Sequence, residues 1–108
     1  HAKEASNAYD ELGQIFCHHG IMELYEYTGL ENVQTISSLN KEVWDYLKLR
    51  TNYSIADYMV NSMLDHAQKH DLTKKMSEKW EVPNQEVEDN LEGLAKYVAE
   101  GIIQVVHT

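Results

Sequence analysis

The sequence predicts an all-α fold, a bundle of four main helices with short connections and a few extra helical turns. Apolar residues recur at three- and four-residue steps along most of the chain, which is the period of an amphipathic helix. The 108 residues include only five glycines and one proline, too few for a turn-rich β-sandwich. This length suits one hydrophobic core, so residues 1–108 are expected to form a single helical domain.

The first helix is expected over residues 3–28, where Ile15 and Phe16 belong to the apolar stripe. Gly29 follows the last turn and can adopt the left-handed conformation that ends many helices. Gly20 lies inside this helix, where it either costs roughly 1 kcal/mol relative to alanine or marks a kink.

Three further main helices are predicted over residues 41–51, 55–70 and 85–105. Shorter helical turns are expected at 30–37 and 74–80. The last helix has the most regular pattern, with a heptad-like repeat of apolar positions. These positions are Val87, Leu91, Leu94, Val98, Ile102 and Val105.

The charge of the chain restricts its partners. The formal net charge is −9, and both ends of the chain are acidic while the middle is balanced. Nucleic-acid phosphates would be repelled by such a surface, whereas a basic protein would be attracted. A protein partner is therefore expected and a nucleic-acid partner is disfavoured.

The single cysteine, Cys17, rules out an intrachain disulfide, so the fold does not require an oxidising compartment. No apolar run approaches the roughly 18 residues of a membrane span, and no segment resembles a signal peptide. A cytoplasmic location without membrane association is therefore the expectation.

Two histidine-containing segments are the main indication of chemistry in the sequence. His19 is followed by Glu23 one helical turn later, and His66 is followed in the same way by His70. On a helical wheel these side chains point towards the interior of the bundle, His66 from the edge of the stripe. Inward imidazoles and carboxylates on facing helices form the metal sites of helical bundles. A transition-metal site of His19, Glu23, His66 and His70 is thus one hypothesis.

Protein contact is the other hypothesis, and the sequence favours it. The chain lacks a recognisable nucleophile motif or phosphate-binding loop, and it has seven tyrosines, four methionines and two tryptophans. Such residues are enriched at protein interfaces. We expect a non-catalytic regulatory, inhibitory or adaptor module without a cofactor, which forms a homodimer and whose further partner would be a basic protein. The expected contact residues are Leu94, Val98, Ile102 and Val106.

Overall fold

Five α-helices make up the part of the chain that the structure, a computed structural model, describes: the backbone of residues 2–29 and 39–108 and the side chains of 9–29 and 39–108. They are α1 (Ala2–Thr28), α2 (Lys41–Arg50), α3 (Ala56–Lys69), α4 (Leu72–Trp80) and α5 (Asn84–His107), with a 3₁₀ turn at Tyr53–Ile55. No strand occurs in these ranges. The all-α prediction is confirmed, but the number of main helices is five rather than four. The helical turn expected at 30–37 lies outside the described residues.

The fifth helix is α4, which the sequence suggested only as a short turn at 74–80. Asp71 precedes it and Glu81 follows it, and both adopt the left-handed conformation, with φ of 49° and 56°. These two residues reverse the chain at each end of α4, although neither is a glycine. A non-glycine residue in this conformation is strained by roughly 1–2 kcal/mol. The local sequence therefore carries no signal for the two bends, and packing of Leu72 and Met76 into the core offsets their strain.

Local signals account for other helix ends. The Asn40 side chain accepts a hydrogen bond from the Val43 backbone N–H at 3.0 Å, which caps the start of α2. Gly29 ends α1 with φ of 79°, as expected for the residue that follows a helix.

The core forms where α1, α3 and α5 pack against one another. α4 contacts α1 and α5, while α2 contacts α5. No helix within the described ranges combines the length and hydropathy that crossing a membrane requires. The largest fully buried side chains are Leu12, Phe16, Leu24, Leu47, Ile55, Met59, Met63, Val87, Ile103 and Val106.

Gly20 sets how closely α1 approaches its neighbours. The residue is buried, and α1 continues through it without a break. A Cβ atom at this position would lie 2.7 Å from Ile102 Cδ1 of α5 and 2.7 Å from Met63 Cε of α3. Gly20 is therefore the point at which two neighbouring helices press against α1, and its missing side chain makes room for theirs.

Candidate functional site

An open, largely apolar groove of about 960 Å³ runs between α1 and α5. Gly13, Cys17 and Ile21 line it from α1 at four-residue steps. The wall from α5 includes four residues spaced four, three and four apart, which places them on one face of the helix. These residues are Leu94, Val98, Gly101 and Val105. We refer to this feature as the α1–α5 groove.

The structure separates the four contact residues expected on α5 into two pairs. Leu94 and Val98 are half-buried and line the groove. Ile102 also lines the groove but is only 4 % exposed, and Val106 is fully buried, so both serve chiefly as core residues within the chain itself. The expectation that these two would offer exposed contact surface is therefore corrected.

The reason for the split is that α5 has two apolar faces rather than one stripe. Ala95 and Ala99 are fully buried and extend the core face, which the heptad-like pattern left out. The second face lines the groove, and Tyr97 rises beside it with 78 % of its surface exposed. Alanine carries a weak hydrophobic signal, so the pattern alone could not locate the core face.

Two glycines leave the groove open. A Cβ atom added to Gly13 or to Gly101 would meet no other atom within 4 Å beyond its immediate surroundings in the helix. The backbones of both walls are therefore accessible to an approaching group at these points. This differs from Gly20, where neighbouring side chains fill the space.

The charges along the groove have one sign. Asp10 of α1 and Glu100 of α5 are its charged lining residues within the described part of the chain, and both are exposed. Cys17 lies between these walls as a free, half-buried thiol, and burial raises its pKa above the ordinary value. The thiol is therefore protonated at neutral pH and contributes packing surface rather than an activated nucleophile.

Three of the four predicted metal ligands come together where α1 meets α3. The ring of His19 lies against the ring of His66 with 3.7 Å between centroids, and His66 lies 4.3 Å from His70 by the same measure. His18 approaches His19 edge-on, with 5.6 Å between their ring centroids. We refer to His19, His66 and His70 as the histidine stack.

The surroundings of the stack favour neutral rings. Burial, followed by the neighbouring His66, His18 and His70, lowers the pKa of His19. Burial also lowers the pKa of His66, with His70 and Lys75 acting in the same direction and Asp65 opposing them. Because the ordinary pKa of histidine is about 6.5, both rings are neutral at neutral pH, which is the form that binds metal ions.

The fourth predicted ligand, Glu23, does not join the stack. It forms neither a hydrogen bond nor an ion pair with any of the three rings, all of which lie in the described part of the chain. His70 is exposed and His66 half-buried, so the order of burial expected on α3 is reversed. Among residues 9–29 and 39–108, no group of three or more histidine, cysteine, aspartate or glutamate side chains is placed so that it could hold a metal ion.

Two lysines of the basic segment at the end of α3 and along α4 form ion pairs with carboxylates of the same chain. Lys69 pairs with Asp65 at 2.9 Å. Glu11 of α1 accepts hydrogen bonds from Lys79 Nζ at 2.9 Å and from Trp80 Nε1 at 2.8 Å. These bonds attach α4 to α1, so Lys79 acts in the fold rather than as a free phosphate contact.

Replacing Glu11 with glutamine is expected to lower the free energy of unfolding by about 1 kcal/mol at pH 7. The hydrogen bonds from Lys79 and Trp80 lower the pKa of Glu11 in the folded state. Its carboxylate therefore stabilises the fold above the unfolded pKa of about 4.3, and this contribution is lost as the pH falls through the lower folded value. Urea denaturation at pH 7 and at pH 3 measures both free energies.

The difference in the free energy of unfolding between the Glu11→Gln variant and the unchanged protein should thus be smaller at pH 3 than at pH 7. Glu92→Gln is the matched control, because Glu92 pairs with Lys96 at 3.1 Å in an exposed position on one helix. We expect that control to lose less than about 0.5 kcal/mol. If Glu11→Gln lowered the free energy of unfolding equally at both pH values, the stabilising role of the ionised carboxylate would be contradicted.

Comparison of the chain with protein-family models, with curated proteins and with solved structures gives no match.

Proposed function

We propose that the protein is a non-catalytic interaction module that binds an amphipathic helix of a basic partner protein in the α1–α5 groove. The observation that carries this proposal is the second apolar face of α5, where Leu94 and Val98 are half-buried against the core while Tyr97 and Val105 are exposed. A regulatory, inhibitory or adaptor role fits a domain whose activity is to hold a partner.

The shape of the groove suits a helix. Its α5 wall repeats at intervals of four, three and four residues, and its α1 wall repeats every four. Side chains at these intervals form the ridges and holes into which a third helix packs. Gly13 and Gly101 lie within these rows and would allow the helix to approach the backbone closely.

Tyr97 provides the anchor expected of such an interface. Its ring is 78 % exposed beside the groove, although it lies on a well-packed helix. Tyrosine is enriched among the residues that dominate binding energies, because a large, stiff ring is buried at little cost in conformational entropy. A docked helix would cover this ring together with Val105, whose side chain is also exposed.

Charge favours a basic partner over a second copy of the chain. Asp10 and Glu100 flank the apolar surface, and the whole chain carries a formal charge of −9. A helix with lysines or arginines beside its apolar stripe would meet these carboxylates with opposite charge. Two copies packed groove to groove would bring like charges together. The homodimer expected from the sequence is accordingly the alternative.

A designed peptide tests the proposal. The probe is a fluorescein-labelled helix of about 20 residues with a leucine stripe flanked by lysines, and fluorescence anisotropy measures its Kd. A second peptide has glutamates in place of the lysines, and a third has the lysines with a scrambled stripe. We expect the first to bind at least about tenfold more tightly than either of the others, since it alone matches both stripe and charge.

Gly101→Leu identifies the surface to which the peptide binds. The added side chain would project into open space within the groove, so it should block the peptide without disturbing the fold. We expect the Kd to rise at least about tenfold. Gly93→Leu is the control, because Gly93 lies on the same helix in open space and does not line the groove. Equal affinities for the two variants would refute docking in the groove.

Sedimentation at micromolar protein concentration tests the alternative, in which a second copy of the chain occupies the groove. A monomer of 12.5 kDa would agree with a groove that binds a different protein rather than a second copy of the chain. A dimer that Gly101→Leu dissociates and Gly93→Leu leaves intact would instead assign the groove to a second copy, and would overturn the proposal of a basic partner.

A further inference from the structure

We propose that the histidine stack is a binding site for a single divalent transition-metal ion of the Zn²⁺ class. The site would take its ligands from His66 of α3, from His70 at the C-terminal end of that helix and from His19 of α1. It lies at the contact between α1 and α3, whereas the proposed docking groove lies between α1 and α5.

The placement of the three rings is the first argument. His66 lies in the last turn of α3 and His70 caps the end of that helix, and their ring centroids are 4.3 Å apart. His19 reaches the same place from another helix, with its ring centroid 3.7 Å from that of His66. Two ligands from one helix and a third from a facing helix give a chelating set that unfolding would destroy.

The packing of α1 fixes the third ligand. Gly20, the residue after His19, contacts α3 and α5 so closely that an added Cβ would lie 2.7 Å from Met63 Cε. This close approach brings the α1 backbone beside α3 and holds His19 near His66. The contact between the His19 and His66 rings therefore accompanies the close packing of α1 against α3.

The chemistry of the rings is the second argument. None of the three imidazoles takes part in a hydrogen bond or an ion pair with the described residues, so their nitrogen atoms are available as ligands. Neutral imidazole without thiolate suits Zn²⁺, Cu²⁺ and Ni²⁺. Three protein nitrogens would leave the fourth position of a tetrahedral Zn²⁺ to water.

The rings must turn for all three to bind one ion. The rings of His19 and His70 are tilted against that of His66, with interplanar angles of 33° and 40°. As placed, these side chains of the described part of the chain do not form a group that could hold a metal ion. Zn–N bonds of about 2.0–2.1 Å require rotation about side-chain bonds. His70 is exposed and His66 half-buried, so both have room to rotate. Lys75 lies close enough to His66 to act on its charge, and its ammonium would oppose a bound cation.

Calorimetric titration with ZnCl₂ at pH 7.5 tests the site. All proteins carry His1→Ala, which removes the imidazole at the start of the chain as a competing ligand. We expect one Zn²⁺ per chain, with the Kd raised at least about tenfold by each of His19→Gln, His66→Gln and His70→Gln. His107→Gln, a histidine on α5 outside the stack, should leave the Kd unchanged. Lys75→Gln should lower it.

A spectroscopic measurement distinguishes binding from a merely structural effect of these variants. NMR spectra of the imidazole nitrogens should show three rings shifted by Zn²⁺ and the His107 ring unshifted, while circular dichroism checks that each variant is folded. Absence of saturable binding would overturn the proposal. So would a Kd that His19→Gln does not change, because the ion would then bind only a surface pair on α3. Neither result bears on peptide binding to the groove.

Discussion

Replacing Phe16 with alanine is expected to lower the free energy of unfolding by about 3–5 kcal/mol. Phe16 lies on α1 and has no exposed surface, so its ring is packed on every side by the core. Alanine would forfeit the transfer of the ring from water and would leave a cavity that the rigid helices could close only in part. Since small domains are stable by about 5–15 kcal/mol, the loss is a large share of the total.

Urea denaturation followed by circular dichroism measures this change. Met22→Ala is the matched control, because Met22 lies on the same helix with 44 % of its surface exposed. We expect the control to lose less than about 1 kcal/mol. Similar losses for the two variants would mean that α1 does not present Phe16 to the core as described.

Replacing Gly20 with leucine is expected to lower the free energy of unfolding by about 2–3 kcal/mol. Leucine has the higher helix propensity, which alone would stabilise α1 by somewhat less than about 1 kcal/mol. The contacts outweigh this gain, because even a Cβ atom would lie within 2.7 Å of two side chains of the core. The four-carbon side chain of leucine would force α1 away from α3 and α5.

Gly93→Leu is the control that separates the effect of the contacts at Gly20 from the effect of leucine's higher helix propensity. Gly93 is exposed on α5 and an added Cβ there meets nothing within 4 Å, so the same replacement should stabilise the fold by about 0.5–1 kcal/mol. Opposite signs for the two variants in thermal and urea denaturation are the expected result. If Gly20→Leu also stabilised the protein, the close approach of α1 to α3 and α5 at this residue would be contradicted.

Gly20→Leu also tests whether packing at Gly20 positions His19 in the histidine stack. Because Gly20 follows His19, moving α1 outward would separate His19 from His66 while leaving His70 in its place on α3. We therefore expect Gly20→Leu to weaken Zn²⁺ binding through loss of one ligand, whereas Gly93→Leu should bind as the unchanged protein does.

The helices were largely predictable from the sequence, and the exception has a physical cause. The long helices α1 and α5 follow apolar patterns that repeat over many turns, so their extents were predicted to within about two residues. α4 was underestimated because Asp71 and Glu81 adopt the left-handed conformation, for which glycine is the usual sequence signal. That conformation is imposed by packing, which no local pattern records.

The candidate sites were predictable only in part. Helical spacing placed His66 beside His70, since four residues make about one turn, but it could not tell that His19 would reach them while Glu23 would not. The pattern on α5 identified Leu94 and Val98 and also included Ile102, although the core takes that residue. Which of two apolar faces becomes the core depends on the neighbours, and Ala95 and Ala99 gave little sign of it.

The sequence by itself determined the helical class, the positions of the long helices, the acidic charge and the excess of apolar and aromatic residues. These properties follow from local composition and from the 3.6-residue period, which a single chain segment already contains. Only the tertiary structure decided that Gly20 is a contact rather than a kink, that α5 keeps a second apolar face only partly covered, and that the His66 ring lies between those of His19 and His70. Each of these depends on distances between helices, and such distances are set by how side chains from separate segments fill a common space.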